Sequence, residues 1–322
     1  MKKTLAFILR LLVALGLLFI LARSIDLAEA VRLTKEMNLI WAGLAFLLIM
    51  GLRVIMAIRW KVILNSQMMV IPLGYLIRIT YISMSVGQLL PGGVGPDLFR
   101  GFALNRQKEG RLLDITTTIL IDRFMGIFSI FIVALAGASV AYFIGLSTGL
   151  VSTLLLMNAL IVAAWYLSPY LRTLTASIPI LQRGKLKKIN LLFQALTDKE
   201  RVKKIFVKIF SLSVFVQGCR IAVFYCLYLA YGSAVDLVYY MVFIPILYVA
   251  TVIPVSVGGL GVREGTLVYF FSTLHVPAEV SVSVGIVYHL LHLLGALPGV
   301  VLWFLDKHRQ GETWENALNN SP

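Results

Sequence analysis

Six arginines sit within or at the ends of long apolar runs: Arg53, Arg78, Arg100, Arg123, Arg220 and Arg263. An arginine at the centre of a membrane helix costs about 2.5–3.5 kcal/mol, so six of them demand a compensating use. The guanidinium is always charged and grips phosphate or carboxylate at two points, so the chemistry these residues offer is recognition of an anion. Three acids accompany them: Asp122 precedes Arg123, Glu264 follows Arg263, and Asp97 lies one turn before Arg100. These are their expected counter-charges. For Arg53, snorkelling to the interface is the ordinary expectation.

Two glycine clusters stand beside the arginines. One reads Gln88-Leu89-Leu90-Pro91-Gly92-Gly93-Val94-Gly95-Pro96-Asp97-Leu98-Phe99-Arg100, the other Pro254-Val255-Ser256-Val257-Gly258-Gly259-Leu260-Gly261-Val262-Arg263-Glu264. Both contain Gly-Gly-aliphatic-Gly followed by an acid and an arginine, and we read them as an internal repeat. Glycine runs that open a helix expose successive backbone N–H groups, which suits an anion. The alternative is a packing break between short helices. Neither cluster follows a strand or ends in Lys-Ser/Thr, so a nucleotide loop is a poor fit. The candidate binding set is Arg78, Gln88, Gly92, Gly93, Gly95, Asp97, Arg100, Asp122, Arg123, Arg220, Ser256, Gly258, Gly259, Gly261, Arg263 and Glu264. Ser213, Gln217 and Arg220 share one helical face, and Arg78, Tyr81, Ser85 and Gln88 another. No catalytic set is complete. His289 and His292 lack the partners for a zinc site, and Cys219 and Cys226 read as small buried hydrophobes, so no metal or cofactor is expected.

The elements that must carry these residues are membrane helices. Of 322 residues, 59% are hydrophobic and 14% charged, against roughly 25% charged in an average soluble domain. Apolar runs long enough to span, or nearly so, fall at 7–22, 39–58, 72–90, 113–145, 148–167, 205–231, 236–253 and 277–304. The expected fold is an all-α, polytopic membrane protein in one integral domain over 1–322. Its halves, 1–167 and 205–304, are joined by a basic segment at 168–204.

The net charge of +14 raises nucleic acid as a partner, but its placement argues for topology instead. Twenty of the 29 Lys and Arg fall into alternate connections, among them Arg59 with Lys61, Arg106 to Arg111, and the stretch 172–208. By the positive-inside rule these connections and both termini are cytoplasmic in the cell membrane, with 168–204 lying on anionic lipid headgroups. That topology makes the two glycine elements re-entrant hairpins entering from opposite faces, the pattern of inverted repeats in transporters.

With Arg59-Trp60, Pro91 to Arg100, Asp122-Arg123 with Gly126, and above all Pro254 to Gly265, the chain resembles the transmembrane region of the lysylphosphatidylglycerol synthase family, also called the flippase-like domain family. In two-part members this region is associated with moving a lipid between leaflets, while a soluble C-terminal domain aminoacylates it. Here 18 residues follow Phe304, which argues against a synthase domain. The expectation is a translocator of a phosphate-bearing lipid or lipid-linked intermediate. The alternative is a membrane subunit or scaffold for a separate glycosyltransferase or lipid-modifying enzyme. An intramembrane enzyme using Asp122 or Glu264 as base ranks below both. The residues leave oligomeric state open.

Overall fold

The computed structural model describes residues 26–89, 95–107, 110–143, 199–252 and 259–305, with isolated positions elsewhere. The expected spans at 7–22 and 148–167, and most of the linker at 168–198, lie outside the described residues. Among the described residues no strand occurs, and the helices named here, in order, are α1 (Leu27–Glu36), α2 (Leu39–Ser66), α3 (Leu73–Leu89), α4 (Gly95–Gln107), α5 (Leu112–Phe143), α6 (Lys199–Ala230), α7 (Leu237–Val252), α8 (Val262–Ser272) and α9 (Ala278–Leu294).

Among the described residues four helical stretches are long and apolar enough to cross a membrane: Leu39–Ser66, Leu112–Phe143, Ile205–Ala230 and Ala278–Leu305. At 1.5 Å per residue the 28 residues of α2 run about 42 Å, beyond the roughly 30 Å hydrocarbon core. Their outward faces are apolar: Ile40 is 80% exposed, Leu47 66%, Phe215 58% and Phe304 61%. In water such a surface would drive aggregation, and in lipid it costs nothing. The chain is therefore a helical membrane protein.

α1 is different, short and amphipathic. Asp26 caps it by accepting from the N–H groups of Ala28 and Glu29. Its Glu29 carboxylate lies below the usual range because the Arg32 guanidinium hydrogen-bonds it in the open, at 2.6–2.8 Å.

α2 lies along α6, α5 along α7, and the short helices pair as α3 with α4 and α8 with α9. Aromatic packing holds the second half. Tyr228 stacks on Phe271 at 4.2 Å between centroids, and Phe224 on Tyr288 at 4.6 Å. Where helices approach closest the contact residue is glycine: a Cβ on Gly137 would lie 2.6 Å from Met241 Cβ, which is how α5 and α7 come so close.

The last span is broken. A turn at Gly295-Ala296 interrupts the helix, which resumes at Leu297 and runs to Leu305. Pro298 explains it, since proline lacks the N–H that would bond the carbonyl of Leu294. The N–H of Ala296 bonds Leu293 O and that of Gly299 bonds Ala296 O, so the carbonyls of His292 and Gly295 lose their usual helical donors. Arg53 supplies replacements, donating through Nη2 to His292 O at 3.2 Å and through Nη1 to Gly295 O. Arg53 is 3% exposed, with its guanidinium 5.3 Å from the centre of the Tyr81 ring. It does not snorkel. The broken helix binds it inside the bundle.

A buried arginine seam as candidate functional site

Arg59 begins the site, and it is where the sequence reading errs most. Counted there with the connection after the second span, it lies inside α2 and is 4% exposed. Its Nε donates to Asp122 Oδ1 at 2.7 Å and its Nη1 to Ser213 Oγ at 3.1 Å, tying α2 to α5 and α6. Gly126, one turn beyond Asp122, lies beside that guanidinium, which a Cβ there would meet at 3.8 Å, an ordinary contact.

Asp122 serves a second arginine: its Oδ2 is 3.6 Å from Arg100 Nη2. Arg100 also bonds Asp97, as their spacing of three predicts, and Asp97 in turn accepts from Arg123 Nε. Thus the expected pairing of Asp122 with its neighbour Arg123 gives way to a crossed set, in which Arg59, Arg100 and Arg123 share Asp97 and Asp122. The Arg100 guanidinium lies 4.9 Å over the indole of Trp60, whose Nε1 donates to Thr118 at 3.1 Å. Arg100 Nε and Nη1 find no hydrogen-bond partner among the described residues.

The polar path continues along α6. Gln217, 1% exposed, donates from Nε2 to Gly126 O at 3.2 Å and to Ser129 Oγ at 3.1 Å, while its Oε1 accepts from Arg220 at 3.3 Å. Arg220 lies 4.4 Å over the Tyr248 ring. Tyr248 and Tyr288 join hydroxyl to hydroxyl at 2.8 Å, and Arg263 lies 4.8 Å over the Tyr288 ring. Tyr288 also packs against the His292 ring, 4.5 Å between centroids, and the His292 carbonyl accepts from Arg53, which brings Arg53 to the same end of the path.

Two of the predicted glycines show why glycine is needed. Gly259 and Gly261 have φ of +76° and +79°, a region that L side chains rarely adopt. At Gly259 a Cβ would also meet Thr251 Cγ2 at 3.1 Å and Arg263 Nη2 at 3.4 Å. Yet the Gly261 N–H is already taken, by Glu264 Oε2 at 2.6 Å. Glu264 is fully buried and presses against Gly285, so the start of α8 is filled by the chain's own carboxylate. Asp97 likewise occupies the first turn of α4. The start of α8 therefore has its own carboxylate against it, and the cationic groups of this region are the arginine side chains.

Of the remaining predicted residues, Arg78 is half-buried on α3, Gly95 begins α4, and Ser256 is buried with no partner for its hydroxyl among the described residues. Gln88 lies on α3 with no side chain described, and Gly92, Gly93 and Gly258 lie outside the described residues. The sequence reading missed Arg53, Arg59, Tyr248 and Tyr288 as members of the seam. The signal available for Arg59 was that α2 stays apolar on both sides of it.

The resulting seam is charged and largely enclosed by apolar helices, and it brings together Arg53, Arg59, Arg100, Arg123, Arg220 and Arg263 with the acids Asp97, Asp122 and Glu264. No curated protein matches the chain. Its residues 7–299, which carry the whole seam, match the lysylphosphatidylglycerol synthase TM region, and the chain belongs to that family.

Proposed function

We propose that this protein moves a phosphate-bearing lipid or lipid-linked intermediate across the cytoplasmic membrane. The observation that carries this reading is the continuity of the seam. Polar contacts run from Asp97 and Arg123 through Arg100 and Asp122 to Arg59 and Ser213, and from Gln217 through Arg220 to Tyr248 and Tyr288; the two sets meet at Gly126, whose carbonyl accepts from Gln217 and whose Cα side faces the Arg59 guanidinium. Arg59 and Arg53 are six residues apart on α2, about 9 Å along its axis, so the seam has extent in depth as well as in charge. An acyl or isoprenoid tail would stay in lipid while the headgroup travels along these groups. Membrane-embedded charge of this kind usually marks a substrate pathway.

In this reading α3–α4 and the 253–265 turn form two re-entrant hairpins of an inverted repeat, and the candidate binding set contributes from both. Both termini and the 168–204 segment face the cytoplasm, where basic residues rest on anionic headgroups. A glycosyltransferase or lipid-modifying enzyme would supply or consume the cargo.

The test is reconstitution of the chain alone into liposomes carrying a lipid with a quenchable headgroup label. Movement of the inner-leaflet label at a rate well above protein-free liposomes is expected. No movement of any phosphate-bearing lipid by folded protein would sink the proposal and favour a scaffold for a separate enzyme.

A further inference from the structure

We infer that the Tyr228–Tyr240–Phe271 cluster is a gate, closed in this structure, through which the cargo headgroup must pass to leave the seam toward the α6–α7 turn, the outer face in the proposed topology. This rests on the translocation reading above and adds to it the barrier that sets its rate.

The position of the cluster comes first. Four helices, α6 to α9, meet at the end of the seam, where Arg220 lies over Tyr248, Tyr248 joins Tyr288 and Arg263 lies over Tyr288. Followed away from that point, the same four helices meet again in a second layer. Tyr228 is eight residues beyond Arg220 on α6 and Phe271 eight beyond Arg263 on α8, while Tyr240 is eight before Tyr248 on α7 and Ser281 seven before Tyr288 on α9. Each helix therefore places its member about 10–12 Å along its axis from the seam. The layer is closed. Phe271 stacks on Tyr228 at 4.2 Å between centroids and lies 5.1 Å from Tyr240, Tyr228 and Tyr240 meet edge to face at 5.6 Å, and the Tyr228 hydroxyl donates to Ser281 Oγ at 3.1 Å. All four side chains are completely buried. Between Arg220 and the end of α6, and between Glu264 and the end of α8, the sequence has no Asp, Glu, Lys or Arg, so a phosphate leaving the seam on this side meets rings and no cation.

Two features set this cluster apart from ordinary core packing. The Tyr240 hydroxyl is buried with no hydrogen-bond partner among the described residues, where a phenylalanine would fill the same space without stranding a polar group. A hydroxyl idle in the closed layer gains a partner when the layer parts and a headgroup or water reaches it. The other feature is Pro245, which lies inside α7 between Tyr240 and Tyr248 and removes the N–H that would bond the Met241 carbonyl. α7 can therefore bend between gate and seam. Gly137 presses on Met241, the residue next to Tyr240, and provides the pivot against α5.

The experiment uses the full chain in liposomes at matched amounts of folded protein, with tail-labelled phosphatidylglycerol and tail-labelled isoprenyl phosphate as probes and quenching of the outer leaflet as the readout. Tyr240→Phe should melt at or above the wild-type temperature, because the closed layer loses only a stranded hydroxyl, and should move lipid about tenfold more slowly. Phe271→Leu, which removes a ring but keeps apolar bulk, should melt lower and move lipid faster. A lower melt for Tyr240→Phe would mean that its hydroxyl is already partnered, and a wild-type rate in either variant, or rates shifted in the same direction, would reduce the cluster to core packing. Each of these results overturns the gate while leaving transport standing. If Phe271→Leu does not fold, the melt and rate of Tyr240→Phe decide alone. Wild-type protein that folds and moves neither probe overturns the translocation reading and the gate with it.

Discussion

Asp122→Asn is the most informative single substitution for the seam's stability. The asparagine is the same size, so packing is retained and only charge is lost. Two buried arginines depend on that charge. Arg59 lies at 2.7 Å with side chains 5% and 3% exposed, and Arg100 lies at 3.6 Å. Removing one partner of a buried pair costs about 3–5 kcal/mol, because the stranded charge keeps its desolvation penalty. That is a large fraction of the roughly 5–15 kcal/mol by which proteins are stable. The matched control is Asp114→Asn, whose partner Arg111 sits at 2.9 Å but with side chains 37% and 43% exposed. There the loss should be about 1 kcal/mol or less. Thermal unfolding in one detergent, at matched expression, should show a far larger drop for Asp122→Asn. Arg59→Met combined with Asp122→Asn should be less damaging than the sum of the singles, since the orphaned guanidinium is gone. Equal melting of the two asparagine variants would refute the buried pair as a stabilising contact and with it the account of the seam as a charged interior.

Other expectations are simpler. Gly299→Ala should destabilise by about 1–3 kcal/mol, because its Cβ would lie 2.2 Å from Tyr81 O, a backbone atom with little room to yield, whereas Gly43→Ala meets nothing within 4 Å and should be neutral or mildly stabilising in the same melt. Arg53→Met should cost about 2 kcal/mol or more by leaving the carbonyls of His292 and Gly295 without their donors, and urea or thermal unfolding will read it. A Lys187→Cys variant should resist a membrane-impermeant thiol reagent in intact cells and react once they are opened; strong labelling from outside would reverse the proposed topology.

The helices were legible because apolar length is a local property. Boundaries expected at 113–145, 205–231 and 236–253 fall near α5, α6 and α7 as built. Asp97 with Arg100 was legible too, since residues three apart share a helix face. Asp122 with Arg123 was not: consecutive helical side chains point about 100° apart, so adjacency in sequence is a poor guide to pairing. Their partners sit on other helices, Arg59 at a separation of 63 residues and Asp97 at 26. Arg59 itself was misplaced because an apolar run ends, by count, at the first charge. The charge was buried by tertiary pairing that no window along the chain contains. Tyr248 and Tyr288 were hidden for a related reason: a tyrosine in an apolar run reads as packing until an arginine is seen against its ring.

The break at Gly295-Ala296 has a mechanical meaning. Arg53 grips the carbonyls just before it from α2, while Ser85 on α3 reaches Ala296 O at 2.6 Å and Gly299 presses on Tyr81. The carbonyls of the turn are thus held from two helices, Gly295 from α2 and Ala296 from α3, with Gly299 beyond the turn also against α3. A straight helix would move as one rod. This one is a jointed strut, held at its joint from two neighbouring helices at once.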